Sequence, residues 1–176
     1  VADGKMCGLR VIKVIDPKNP REVGFLHTPG DAAEVHVSGN YAYLADGYDG
    51  GLRIIDISQS EKPYEVGFYR ARANGVFVAG DYAYVVGGYD LCVLDIANPG
   101  SPREVSSLEL ADEFLRGLCR IHVDERYAYI TNTSGGSDFR FGEFDVIDIS
   151  NPENLKKEGS YSFGLRSILS SVYVAG

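Results

Sequence analysis

The sequence lacks any apolar run approaching the ~20 residues that a helix needs to cross a bilayer, so no helical membrane span is expected. It also lacks a basic excess. With 17 Lys and Arg against 25 Asp and Glu the formal net charge is −8, which argues against the basic stripe that nucleic-acid binding requires. Cysteine is scarce: Cys7, Cys92 and Cys119 are too few for a disulfide scaffold, and no CxxC or Cys/His spacing suggests a metal site. Buried thiols are the simpler reading, and one disulfide with one thiol left over is the alternative. No G-x-S-x-G, P-loop, HExxH or Rossmann glycine pattern occurs, so no cofactor and no common catalytic motif is expected. What is abundant is glycine, 21 residues, and tyrosine, 12 residues, a mixture that favours strands and turns over helices.

The chain repeats itself. Shifted forward by 43 positions, Val1–Phe25 falls without gaps on Leu44–Phe68 and shares Asp3/Asp46, Gly4/Gly47, Arg10/Arg53, Pro20/Pro63, Glu22/Glu65, Gly24/Gly67 and Phe25/Phe68. Tyr-Ala-Tyr recurs at 41–43, 82–84 and 127–129, and Tyr173 follows Tyr129 by 44 residues. The period is about 43 residues, and four repeats' worth of chain is present. Cut at the Tyr-Ala-Tyr blocks, the units run approximately 1–40, 41–81, 82–126 and 127–170, with the next one starting at 171–176. The first residue, Val1, falls inside a unit, so the chain is expected to be a segment of a longer array, with any targeting segment upstream.

Each unit reads as four short strands. "GVFVAG" has the counterparts "EVHVSG" and "RIHVDE". A Gly-Asn or Gly-Asp turn follows, and then a "YAYVV"-type strand, a strong hairpin signal. "GLRIIDI" is matched by "LCVLDI" and "FDVIDI", and "PYEVGFY" by "PREVGFL" and "PREVSSL". Pro-rich turns sit between the last two strands, where no ladder donor is needed. Apolar residues occupy both faces of these strands, which requires sheets covered on both sides. Four antiparallel strands per ~40–45 residues is the period of β-propeller blades, so the expected class is all-β, as part of a larger propeller. The stretch Leu110–Leu118 is expected to hold a helical turn, capped by Asp112 and stopped at Gly117.

The blocks "YAYLADGYDGGLRIIDIS", "YAYVVGGYDLCVLDIANPGSPREV" and "FDVIDISNPENL" resemble the LVIVD repeat family over essentially the whole chain. The resemblance implies a β-propeller of bacterial or archaeal type, often secreted or on the cell surface, and implies no catalytic residues.

A residue present in every unit is better explained by structure than by catalysis. Tyr41, Tyr82 and Tyr127 are therefore read as blade packing. Asp56, Asp95 and Asp148 are read as acceptors for turn N–H groups. "DGYDGG" (Asp46–Gly51) lacks the full Ca²⁺-loop spacing and reads as a strand connection. Departures from the repeat are the binding candidates. Lys13 stands where the other units have the strand Asp, and its turn is expected to be satisfied by Asp16. His36 and His122 share one first-strand position, where the intervening unit has Phe77, and they are expected to line the central channel. The longest insertion, Thr133–Phe144, carries Asp138, Phe139, Arg140, Phe141 and Glu143, and long loops on rigid scaffolds are where binding concentrates.

These features point to a non-enzymatic interaction or scaffold domain, outside the cytoplasm, with a protein or surface-glycan partner. One alternative is an enzyme with a channel or loop site built from several blades. Another is a structural subunit of a surface assembly, in which unpaired strand edges lead to self-association or are covered by flanking repeats.

Overall fold

The structure is a computed structural model that describes residues 1–5, 7–110, 119–134, 141–165, 169 and 171–173. The chain opens with β1 (Gly4–Lys5), the two-stranded ladder of β2 (Leu9–Lys13) and β3 (Arg21–Leu26), and β4 (Asp31–Ala32), which pairs with β1. Three four-stranded antiparallel meanders follow. The second blade is β5 (Glu34–Ser38), β6 (Tyr41–Ala45), a single helical turn α1 (Gly47–Gly50), β7 (Leu52–Asp56) and β8 (Tyr64–Tyr69). The third is β9 (Gly75–Ala79), β10 (Tyr82–Gly87), β11 (Asp90–Asp95) and β12 (Arg103–Glu109). The fourth is β13 (Arg120–Val123), β14 (Tyr127–Ser134), β15 (Phe141–Asp148) and β16 (Lys156–Leu165). Strand order within each sheet is chain order, as expected of propeller blades. The β2–β3 ladder is the third-and-fourth-strand half of a first blade, since Lys13↔Arg21 repeats the pairing Asp56↔Tyr64. Each sheet begins one strand before its Tyr-Ala-Tyr block, so units cut at that block take three strands from one sheet and the first strand of the next. The expected helical turn at Leu110–Leu118 falls, beyond Leu110, outside the described residues.

Period-2 alternation gives the second and third blades two cores each. Along β10, Ala83 and Val85 face the second blade and pack with Tyr43, Ala45, Leu52 and Ile54. Their neighbours Tyr84 and Val86 face the fourth blade and pack with Ile121, Ala128, Ile130 and Ile147. On the other face of the second blade, Ala42, Leu44 and Ile55 join Leu9 of the first. No described blade buries its apolar residues by itself; the core lies between sheets.

A repeated irregularity sets the spacing between blades. The third- and fourth-strand ladders all slip register at one equivalent place, Val11/Ile12, Ile54/Ile55, Val93/Leu94 and Val146/Ile147, and the fourth blade slips once more at Phe141/Gly142. Such a bulge bends the outer strand, and the residue beside it meets the next blade's Pro-rich turn. A Cβ on Gly24 would overlap the Ser60 carbonyl oxygen, and one on Gly67 the Pro99 carbonyl oxygen. In the third blade this position is Ser106, whose Oγ donates to the Pro152 carbonyl at 2.5 Å. Ser60, Pro99 and Pro152 are equivalent, each four residues after its strand position (Asp56, Asp95, Asp148). Glycine is needed where the approach is closest, and a hydroxyl serves where there is room.

Gly67→Ala is expected to destabilise the protein by ~1–3 kcal/mol through this overlap, lowering the Tm by several degrees. Gly159→Ala changes an equivalent position with nothing within 4 Å of the added Cβ, and its Tm is expected to hold or rise slightly. Thermal denaturation of the two variants side by side checks the latch, and equal losses would refute it.

Candidate functional site

A meander alternates strand direction, so each blade has two unlike ends. At one end lie the turns between first and second strands and those between third and fourth. This end is uniform. Gly39 and Gly80 turn with φ of 57° and 56°, in the left-handed region that favours glycine. Ser58, Ala97 and Ser150 donate their backbone N–H groups to Asp56, Asp95 and Asp148 at 2.8, 2.9 and 2.9 Å. The residues one before, Ile57, Ile96 and Ile149, donate to the carbonyls of Asn40, Asp81 and Arg126. The strand aspartates are therefore turn caps, as their recurrence suggested. In the first blade Asp16 accepts from Lys18 N and Asn19 Nδ2. That is the role of Asn98 and Asn151, which accept from Gly100 N and Glu153 N.

The opposite end carries the connections between second and third strands and those between blades, and here the third and fourth units depart from the first two. In the second blade the "DGYDGG" segment makes the α1 turn, and its Asp46 is fully buried. Asp46 accepts from Thr28 Oγ1 (2.6 Å), Gly30 N (3.0 Å) and Arg53 Nε (2.9 Å), so all its capacity serves structure. Arg53 also bonds Glu65 at 2.6 Å and lies 4.9 Å from the centre of the Phe68 ring. The first blade repeats this plug: Arg10 pairs with Asp3 and, at 2.7 Å, with Glu22, over Phe25 at 4.9 Å.

The later blades rebuild the plug with other chemistry. In the fourth, the register places Asn132 for Asp46, Asp145 for Arg53, Lys157 for Glu65 and Ser160 for Phe68. The charges are inverted: buried Asp145 pairs with Lys157 at 2.7 Å and accepts from Ser160 Oγ at 2.7 Å. Burying a carboxylate requires such partners. Among the described residues, Asn132 Oδ1 and Thr131 Oγ1 have no hydrogen-bond partner. In the third blade the plug is absent. Its positions hold Gly87, Cys92, Glu104 and Ser107.

A cleft of about 340 Å³ stands where the plug is missing, between the second and third blades. Tyr69 at the end of β8, Arg70 and Arg72 of the following connection, Tyr89 and Asp90 at the β10–β11 turn, and Cys92 and Glu104 of β11 and β12 line it. Gly87 lets the chain pass close: a Cβ there would overlap the Arg72 carbonyl oxygen. The Arg72 guanidinium lies 4.3 Å from the Tyr48 ring centre and 5.7 Å from that of Tyr89, and donates to Tyr48 Oη at 3.0 Å. Tyr69 donates its hydroxyl to Glu104, and burial together with that bond holds the phenol protonated well above its ordinary range. Burial, with Glu104 and Asp90 nearby, pushes the Cys92 thiol up to about 11, and burial raises Cys119 likewise to about 11. Protonated thiols are poor nucleophiles at neutral pH.

The residues singled out from sequence are not brought together. Lys13 ends β2 beside an apolar groove of about 590 Å³ lined by Ile12, Val14 and Ile15. His36 and His122 do lie on first strands, within one aromatic column. The Phe77 ring stands between them, with centroid separations of 4.4 and 5.3 Å. Burial lowers the His36 pKa. Tyr173 continues the column at 5.4 Å from His122, taking the first-strand place and not the second-strand place its spacing from Tyr129 suggested. Glu143 accepts from Ser160 Oγ at 2.7 Å, within the inverted plug. Phe141 begins β15; Asp138, Phe139 and Arg140 lie outside the described residues. Among the described residues no three His, Cys, Asp or Glu side chains converge to hold a metal ion. No described helix is long and apolar enough to cross a membrane. Arg70, Arg72, Tyr89, Cys92 and Glu104 escaped the sequence reading. The available signal was the loss of the shared arginine and phenylalanine, Arg10/Arg53 and Phe25/Phe68, from the third unit.

A model of the LVIVD repeat matches residues 29–71, 70–109 and 117–162, one match for each four-stranded blade. No curated protein matches the chain.

The turn caps make the uniform end acid-sensitive. Hydrogen bonds from Ser58 depress Asp56, those from Tyr127 and Arg126 backbone depress Asp124, and Ser150 with Arg126 draws Asp148 to about 2. A depressed folded pKa contributes stability above the unfolded value near ~3.9, lost as pH falls through the folded value. Half-buried Glu34, shifted upward chiefly by desolvation, contributes the opposite sign. The Tm is expected to fall as pH drops from about 4 to about 2. Asp56→Asn, Asp124→Asn and Asp148→Asn combined keep the acceptors and should flatten that fall; an unchanged slope would discount the caps.

Proposed function

This chain belongs to the LVIVD repeat family, and from that premise we propose that it is a non-enzymatic interaction domain acting outside the cytoplasm. Its ligands engage the variable end of the blades. One observation carries the reading. At the turn end the second, third and fourth blades keep one Asp-capped turn, with Lys13 the exception in the first, whereas changes of side-chain chemistry gather at the other: α1, the Arg72–Tyr48 stack and the open cleft. Tyr48 is 65% exposed at the head of α1 although its ring is already ordered by Arg72. A rigid, exposed aromatic binds at small entropic cost, as interface anchors do. The rings of the His36–Phe77–His122 column pack tilted and edge-on against one another and the Cys92 and Cys119 thiols are held protonated, which supports recognition in preference to turnover. The partner fitting such a surface is a glycan or an extracellular protein.

The labelled chain can be applied to an array of purified bacterial polysaccharides and extracellular proteins. Saturable binding is expected, weakened roughly tenfold by Tyr48→Ala and left unchanged by Lys62→Ala or Glu153→Ala in the turns. Absent binding, binding that follows the turn substitutions, or chemical conversion of the bound probe would overturn the proposal.

A further inference from the structure

We infer that the cleft between the second and third blades is a binding site for a small carboxylate ligand whose neighbouring groups donate hydrogen bonds, an inference that rests on the interaction-domain reading and narrows it. The cavity exists because one blade lost its plug. In the second blade Arg53 neutralises Glu65 from within the sheet, under Phe68. In the third, Cys92 and Ser107 replace the arginine and the ring, so among the described residues Glu104 keeps no arginine partner and turns to Tyr69. The vacated volume, about 340 Å³, is at the small end of ligand pockets and suits one sugar ring or one amino acid.

The lining then selects the chemistry. Arg70 and Arg72 form no ion pair among the described residues, although Asp90 and Glu104 line the same cleft. Arg72 is held in place without being neutralised, since tyrosine faces and a tyrosine hydroxyl carry no charge. A guanidinium oriented in this way is prepared for a planar carboxylate. Glu104 and Asp90 accept only, so they call for ligand hydroxyl or ammonium groups beside that carboxylate. Tyr89 at the rim offers an aromatic face for the ligand's apolar side. A sugar acid and an α-amino acid share this chemistry; a neutral sugar or a simple phosphate does not.

Isothermal titration calorimetry of the full chain with D-glucuronate, L-alanine, D-glucose and inorganic phosphate tests the site. One of the two carboxylates is expected to bind at least roughly tenfold more tightly than glucose and phosphate. Preference for glucuronate identifies the sugar-acid source, and preference for L-alanine the amino-acid source. Arg72→Gln should weaken that binding by roughly tenfold or more. Cys92→Arg, which restores the second-blade residue opposite Glu104, should abolish binding while keeping or raising the Tm. Arg70→Gln supplies a second probe should Cys92→Arg fail to fold. Equal binding of glucose or phosphate, no binding of either carboxylate by folded protein, or carboxylate binding indifferent to both arginine substitutions would overturn the inference. Array binding that persists alongside any of these results would leave the broader interaction reading standing.

Discussion

The sheets of the second and third blades are apolar on both faces, and neighbouring sheets cover them. A strand such as β10 sends Ala83 and Val85 one way and Tyr84 and Val86 the other, all of them buried. A four-stranded sheet of this composition standing alone would expose two apolar surfaces to water. Stacking copies of the same unit resolves this, since the back of each blade becomes the cover for the front of the next. The requirement accounts for the repeat itself, for the bulge at one place in every ladder, and for the glycine or serine at the latch. Each keeps neighbouring sheets at the distance their side chains can fill.

That constraint separates what is free to vary from what is not. At the turn end, the caps from Asp56, Asp95 and Asp148 close short connections that must pass the neighbouring blade's outer strand. The other end has the same polar problem in each blade and solves it differently. Two blades use an arginine between carboxylates over a phenylalanine; the fourth uses an aspartate between lysine and serine. Inverting the charges preserves the pairing because a buried ion needs a partner of opposite sign, whichever strand supplies it. Omitting the pair altogether, as the third blade does, leaves space and uncommitted charge. A repeat thus acquires a site by deletion at one copy while the others keep the scaffold closed.

Much of the fold could be read from the sequence, because repetition averages out the ambiguity of single strands. The four-strand unit, the hairpin glycines and the capping aspartates all recur at fixed offsets. The His36 and His122 equivalence was also legible, with Phe77 at the same position in the unit between, and the three rings do share one column; what could not be read was that the rings touch. Tyr173 was harder still, since Val-Tyr-Val suits either the first or the second strand of a blade, and only its packing on His122 decides. "DGYDGG" read as a plain connection, yet its first residue is the buried hub of the second blade, a role set by Thr28 and Gly30 from a distant part of the chain. The cleft was missed for a different reason. Added residues, such as the long insertion, stand out in a repeat, whereas the cleft is made by residues taken away.

The sequence by itself determined the unit: its period, its strands, its turn chemistry and its need for covered faces. These are local properties, written in alternation and in residues with restricted backbone or hydrogen-bonding habits. The tertiary structure alone decided that the third blade's missing plug would leave a cavity and which charges would face it. Arg72, Tyr48 and Glu104 come from three different segments, and their meeting depends on how a loop passes Gly87 and on what the neighbouring sheet fails to fill. Packing between blades is a relation among distant parts of the chain, and a pattern within one repeat cannot encode it.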